Sequence, residues 1–84
     1  MQAFLSQSLP TTIKELEEEI AQIDAWRELC SNLIKDFMAK EDPAKKIFFP
    51  GEIHELIQER NMLETHREFR RVRIARLKYD EQGL

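Results

Sequence analysis

Apolar side chains recur at alternating steps of three and four residues through the first half of the chain. This spacing is the a/d pattern of a heptad, which places the series on one face of an α-helix. One a position is polar, Arg27. The apolar members are Ile13, Leu16, Ile20, Ile23, Cys30, Ile34 and Phe37. The pattern predicts a long amphipathic helix with a seam that packs against a second helix.

The second half of the chain repeats the spacing with a more polar seam. Its heptad positions are Ile53, Leu56, Arg60, Leu63, Arg67, Arg70, Ile74 and Leu77. A seam this polar could instead rotate about the helix and bring Ile57, His66 or Phe69 inward. Because a buried guanidinium without a partner is costly, we expect the seam arginines to be paired or to extend toward solvent. The nearby carboxylates are Asp24, Glu28, Glu64 and Glu68.

The helix-breaking residues mark the boundaries of these two stretches. They are Pro10, Pro43, Pro50, Gly51 and Gly83. None falls within residues 11–42 or 52–82, and a helix interior tolerates proline and glycine least. Thr12, with Glu15 three residues later, fits a capping box at the start of the first helix. We therefore divide the chain into an arm (1–11), helix one (12–41), a hinge (42–51), helix two (52–80) and a tail (81–84).

Charge patterning indicates that the two helices run antiparallel. Residues 14–28 hold six acidic and two basic side chains, whereas residues 66–78 hold six basic and one acidic. An antiparallel hairpin lays these segments side by side, and a continuous helix would keep them apart. Two registers are complementary in charge. One pairs Glu17 with Lys78 and Asp24 with Arg71; the other pairs Glu19 with Arg73 and Lys40 with Glu52. The predicted fold is an all-α, coiled-coil-like, two-helix hairpin.

Length and composition favour self-association or a bound partner. A chain of 84 residues buries only about 60% of the surface that it exposes when unfolded, so a lone hairpin is marginally stable. Its single cysteine, Cys30, excludes an internal disulfide and is expected to act as a small buried hydrophobe. No cysteine–histidine spacing indicates zinc, so we expect no cofactor. No apolar run approaches the roughly 18 residues of a membrane span, and we expect a cytoplasmic protein.

Apolar residues beside the seam predict a protein-binding surface. On helix one, Trp26, Leu29 and Leu33 widen the apolar face beyond what one neighbour can cover. A dimeric four-helix bundle would bury this surplus, and so would a foreign helix. In the hinge, Phe48 and Phe49 form either a plug or an exposed anchor. The predicted partner-binding residues are Trp26, Leu29, Leu33, Phe48, Phe49 and Phe69.

The arm carries apolar residues of its own, Phe4, Leu5 and Leu9. It is either a frayed tail or a short segment that docks on a neighbour. Asp42-Pro43, at the start of the hinge, is able to cap one further helical turn, since proline suits a first helical position.

The sequence contains no catalytic motif, so we infer a function from its apolar and charged surfaces. We expect a protein–protein interaction module, such as an adaptor, chaperone, inhibitor or regulatory subunit, with no catalysis of its own. The alternative is nucleic-acid binding through the basic end of helix two, which the net charge of −3 disfavours. Its residues would be Arg67, Arg70, Arg71, Arg73 and Arg76. A third possibility is an enzyme with an arginine-lined pocket for an anion.

Overall fold

The computed structural model describes residues 1–81 and contains only helices and turns within them. A short helix α1 (Gln2–Leu5) precedes two long ones, α2 (Ile13–Lys40) and α3 (Pro50–Glu81). The long helices pack against each other as an antiparallel hairpin 64 Å in its longest dimension. This confirms the predicted all-α hairpin. Residues 82–84 of the predicted tail lie outside the described part of the chain.

Helix α2 begins at a side-chain cap. Thr12 has extended backbone angles, and its Oγ1 accepts a hydrogen bond from the Glu15 amide at 3.3 Å. The threonine hydroxyl thereby satisfies one of the amides that a helix leaves free at its first turn. At the other end the Glu41 amide donates to the Met38 carbonyl at 3.3 Å. The threonine half of the predicted capping box is confirmed, whereas the hydrogen bonds of the described residues include none from the Thr12 amide to the Glu15 carboxylate.

The loop between the long helices is a closed turn built on Asp42. Its Oδ1 accepts from the Ala44 and Lys45 amides, at 3.1 and 3.3 Å, and so caps a 3₁₀ turn at Pro43–Lys45. Backbone hydrogen bonds in both directions join Asp42 to Ile47, each 2.9 Å long. Lys46 ends the turn in the left-handed region, with φ of 57°. The predicted extra turn is confirmed, and α3 then begins at Pro50 rather than at 52.

The core is the heptad seam. Leu16, Ile23, Cys30 and Ile34 of α2 are buried, as are Leu63 and Arg70 of α3. All six occupy predicted seam positions. Of the residues that a rotated seam would turn inward, Phe69 is 53% exposed, whereas Ile57 and His66 are half-buried. The two fully buried residues of α3, Leu63 and Arg70, both belong to the heptad seam, which is therefore the centre of the contact despite its arginines.

The observed pairs lie close to the second predicted register, but the partners are not the predicted ones: Glu19 pairs with Arg70, one helical turn away from Arg73. Asp24 pairs with Arg67, one helical turn away from the predicted Arg71. Arg71 instead pairs with Glu68 on its own helix. Charge alone did not choose between the two registers, because exposed pairs contribute only about 0–1 kcal/mol each. The apolar seam, with Leu63 packed against Ile23 and Cys30, outweighs them.

The arm folds back onto its own hairpin. Leu5 is 7% exposed and belongs to the core cluster of Ile23, Cys30 and Leu63. The Phe4 ring meets Trp26 edge-on, with the ring centroids 5.2 Å apart. The arm is thus neither frayed nor docked on a neighbour over these residues. It is a third apolar layer on one side of the two-helix seam.

Candidate protein-interaction surface

Arg70 is a structural residue of the seam. Its side chain is 1% exposed, and its Nε donates to Glu19 Oε1 at 2.8 Å. Its Nη1 donates to the His66 carbonyl at 2.9 Å, and its guanidinium lies 5.5 Å from the centroid of the Phe4 ring. The guanidinium is thereby enclosed by an anion, a carbonyl and an aromatic face. Glu68, one of the four carboxylates expected to serve the seam arginines, instead pairs with Arg71 on its own helix.

The remaining seam arginines form a polar row between the helices. Arg67 donates to Asp24 at 2.9 Å. Arg27 lies 3.2 Å from Asp24 and 3.8 Å from Glu64, which confirms both carboxylates as partners. Arg60 donates to Ser31 Oγ at 3.3 Å. These contacts join α2 to α3 beside the apolar seam and add to the pairing that the seam selects, as polar seam residues do in coiled coils.

This row borders a shallow groove that mixes both signs of charge. Besides the arginines, the groove is lined by the carboxylates of Asp24 and Glu28. Arg27 Nε is buried without a hydrogen-bond partner in the described chain. Acidic side chains at the rim oppose the entry of an anion, so the geometry gives little support to an arginine-lined anion pocket.

Trp26, Leu29 and Leu33 lie on one side of α2, because they are spaced by three and four residues. Trp26 is half-buried under Phe4. Leu29 is 54% exposed and Leu33 is 37% exposed. Sequence reasoning placed all three on an open apolar face but did not place the arm over Trp26. We name the side of the hairpin that carries the arm, with Trp26, Leu29 and Leu33, the arm face.

Phe69 of α3 belongs to the arm face as well. Together with Leu9 of the arm it lines a groove that also includes Val72, Arg73 and Arg76. The Phe69 ring lies edge-on to His66, with centroids 5.7 Å apart. The arm face therefore combines residues of both long helices, which the sequence alone does not bring together.

The two hinge phenylalanines take different positions. Phe49 is half-buried, with its ring centroid 5.3 Å from that of Phe37, and its amide donates to Glu41 Oε2 at 3.1 Å. Phe48 is 54% exposed at the tip. Phe49 packs as the predicted plug and Phe48 is exposed, whereas the sequence treated the two as a unit.

The outer side of α3, which borders the arm face at Val72 and Arg76, exposes two further residues that sequence reasoning did not single out. Val72 and Tyr79 are both exposed, seven residues apart and thus on one side of the helix. With Ala75, Arg76 and their neighbours they line a second groove. The sequence did contain a signal for this surface, namely two apolar residues spaced by two helical turns among arginines.

The five arginines of the nucleic-acid alternative do not form one basic surface. Arg67 and Arg70 are held by carboxylates of α2, and Arg71 is held by Glu68. Arg73 and Arg76 make no ion pair with any residue of the described chain. The basic charge that is open to a polyanion is therefore smaller than the sequence indicates.

Cys30 and His66 are titratable groups with a perturbed pKa at or near the seam. Burial raises the pKa of the Cys30 thiol above its ordinary value, and Glu59 adds to this effect while Arg60 opposes it. The thiol is thus held in its unreactive form, which agrees with the predicted role as a small buried hydrophobe. Burial lowers the pKa of His66, and the positive charge of Arg70 lowers it further.

Within residues 1–81, no helix has both the length and the apolar character needed to cross a membrane. Comparison with protein-family models, curated proteins and solved structures finds no match to this chain.

Proposed function

We propose that this protein is a small helical-hairpin module that acts through protein–protein contact, without catalysis of its own. In this proposal two hairpins associate through their arm faces into a four-helix bundle. The observation that carries it is the exposure of Leu29 and Leu33, one helical turn apart on the arm face.

The physical argument is that burial of exposed apolar side chains in an interface would lower the free energy of the protein. Full burial of a leucine side chain contributes about 1.5–3 kcal/mol relative to exposure. Leu29 and Leu33 adjoin Trp26, which keeps part of its ring at the surface. Contiguous apolar area of this kind on a small protein marks an interaction site. We choose a second copy of the chain as the partner, because it is present wherever the protein itself is present.

The dimer leaves surfaces for a further partner. Phe48 at the hinge tip and Tyr79 on the outer side of α3 are both more than half exposed. Exposed aromatic side chains are frequent anchors in protein interfaces. The bundle would then serve as an adaptor, chaperone, inhibitor or regulatory subunit in the cytoplasm, with these anchors at its ends and edges.

The test is the mass in solution by light scattering across a range of concentrations. We expect a mass of about twice that of one chain, which is 10.0 kDa. The double variant Leu29→Gln, Leu33→Gln keeps charge and helix propensity and should shift the mass to the monomer. Met38→Gln is the matched control, because Met38 is 52% exposed on the same helix outside the arm-face spacing. A double variant that associates as well as the wild type would refute the role of the arm face.

Nucleic-acid binding is the less supported alternative. It would have to rest on Arg73 and Arg76, since Arg67, Arg70 and Arg71 are engaged within the chain. It predicts an affinity that falls steeply with salt, and the absence of binding at about 50 mM salt would remove it.

A further inference from the structure

We infer that the two hairpins associate around a two-fold axis parallel to their helices, so that an acidic groove of each copy receives a basic groove of the other. This inference rests on the proposed self-association. It adds the orientation of the second copy and the charged residues that select it.

The arm divides the arm face into two grooves of opposite charge. On the α2 side the groove beside Met1 and Phe4 is lined by Gln22, Trp26 and three carboxylates, those of Glu15, Glu18 and Glu19. On the α3 side the groove beside Leu9 is lined by Phe69, Val72, Arg73 and Arg76. Each groove therefore pairs an aromatic residue with charges of one sign.

Most of these charges are open to a second molecule. Glu19 is consumed by Arg70, but Glu15 and Glu18 are exposed. No ion pair within residues 1–81 engages Glu15, Glu18, Arg73 or Arg76. One hairpin thus presents two acidic and two basic side chains on a single face, separated by its arm.

The two grooves lie at the same level along the hairpin. Glu19 contacts Arg70 at 2.8 Å across the seam, so these two residues lie at the same height along the hairpin. Because the helices run antiparallel, a turn back along α2 reaches Glu15 while a turn forward along α3 reaches Arg73 or Ile74. The acidic and basic grooves are therefore side by side at one end of the molecule.

Rotation about a two-fold axis parallel to the helices leaves the height of each groove along the hairpin unchanged. It places the α2 side of one copy opposite the α3 side of the other. The acidic groove of one copy then faces the basic groove of the other, twice, in a closed and self-complementary contact. Each α2 lies beside the partner copy's α3 in antiparallel fashion. This repeats the chemistry inside each hairpin, where carboxylates of α2 already bind arginines of α3.

An axis perpendicular to the helices would match the charges less well. It would lay α2 on α2 and α3 on α3, in opposite directions. Arg73 and Arg76 would then meet the acidic first turns of α3, which include Glu52 and Glu55. The acidic groove, however, would face the end of α2 that carries Asp36 as well as Lys40. The parallel axis satisfies both grooves and is the one that we propose.

The test is an exchange of charges between two variants. Glu18→Lys sets a lysine against the arginines of the basic counterpart and leaves the acidic groove with no net charge, since Glu15 is then its one carboxylate outside an ion pair in the described chain. Arg73→Glu with Arg76→Glu reverses the charge of the basic groove. Each variant alone should dimerise about tenfold more weakly or worse, since like charges at an interface are strongly disfavoured. An equimolar mixture should recover the dimer mass, because both contacts of the mixed dimer then join opposite charges. A misfolded variant could not produce this recovery.

The matched control is Glu17→Lys, which makes the same change of charge at an exposed neighbouring position that does not line the groove. It should dimerise as the wild type does. If the wild type forms a dimer but the mixture shows no recovery, the parallel arrangement is wrong while self-association stands. A wild type that stays monomeric at all concentrations would overturn the self-association itself.

Discussion

Arg70 and Glu19 join α3 to α2 through a guanidinium that is 1% exposed, with Nε and Oε1 2.8 Å apart. The aromatic ring of Phe4 lies over the same guanidinium. A charge this deeply buried depends on the groups that enclose it. The pair therefore makes the stability of the seam depend on the arm as well as on the two long helices.

Glu19→Gln should lower the free energy of unfolding by about 2 kcal/mol, because Arg70 loses its charged hydrogen-bond partner while it stays buried. The double variant Glu19→Gln, Arg70→Met should recover much of this loss, since an apolar side chain of similar length needs no counter-charge. Urea unfolding followed by circular dichroism, at one fixed protein concentration, measures both. Glu17→Gln on the exposed side is the control. Equal effects of Glu19→Gln and Glu17→Gln would contradict this account of the pair.

Phe4→Ala should shift the fluorescence emission of Trp26 to longer wavelength. Trp26 is the single tryptophan of the chain. Its edge-on contact with the Phe4 ring keeps water from part of the indole. Loss of the aromatic pair should also destabilise the fold by about 1 kcal/mol. Phe48→Ala is the matched control, because Phe48 is exposed at the hinge tip. An unchanged emission spectrum in Phe4→Ala would mean that the arm does not cover Trp26 in solution.

Lys46→Gly should raise the free energy of unfolding by about 0.5–1 kcal/mol. Lys46 has φ of 57°, a region that costs an L-residue about 1–2 kcal/mol and glycine almost nothing. The larger entropy of glycine in the unfolded chain offsets part of the gain. Lys45→Gly, one residue earlier in the 3₁₀ turn, should be destabilising instead. Thermal unfolding of the two variants beside the wild type decides the matter, and a change of the same sign in both would be inconsistent with this strain.

His66 should make the protein less stable as the pH falls below its ordinary pKa of 6.5. Its pKa is lowered in the folded state by burial and by Arg70. The unfolded chain therefore binds the proton first, and the stability that neutral His66 contributes is complete above pH 6.5 and is lost as the pH falls through the folded pKa. His66→Gln should flatten this part of the profile. We would compare the unfolding free energy of the two proteins between pH 7.5 and pH 4.5, a range chosen on the usual scale of histidine titration. Parallel profiles would exclude His66 as the group responsible.

Local signals in the sequence predicted much of the hairpin. The heptad positions identified the buried residues of α2, and the spacing from Thr12 to Glu15 located a helix cap. Asp42-Pro43 identified the turn, because an aspartate side chain and a proline act on their immediate neighbours. Each of these features depends on residues within a few positions of one another, so one sequence is enough to find them.

Nonlocal features were not predictable in the same way. The register could not be chosen from the sequence, because Asp24 has several arginines of α3 within reach and the packing of Leu63 is needed to select among them. The arm could not be placed, since a ten-residue segment with Phe4 and Leu5 has no periodicity to indicate its neighbour. The arm face followed from that placement, because its two grooves exist only where the arm lies between the helices.

The closed turn on Asp42 favours a hairpin formed within one chain over two chains that exchange α3. Exchange of α3 between two copies would require the turn over residues 41–49 to open. That change would break the hydrogen bonds between Asp42 and Ile47 and the bond from the Phe49 amide to Glu41. The turn therefore favours a hairpin closed within one chain. For the dimer that we propose, we expect a first-order folding phase that does not depend on protein concentration, followed by a slower second-order phase as finished hairpins collide.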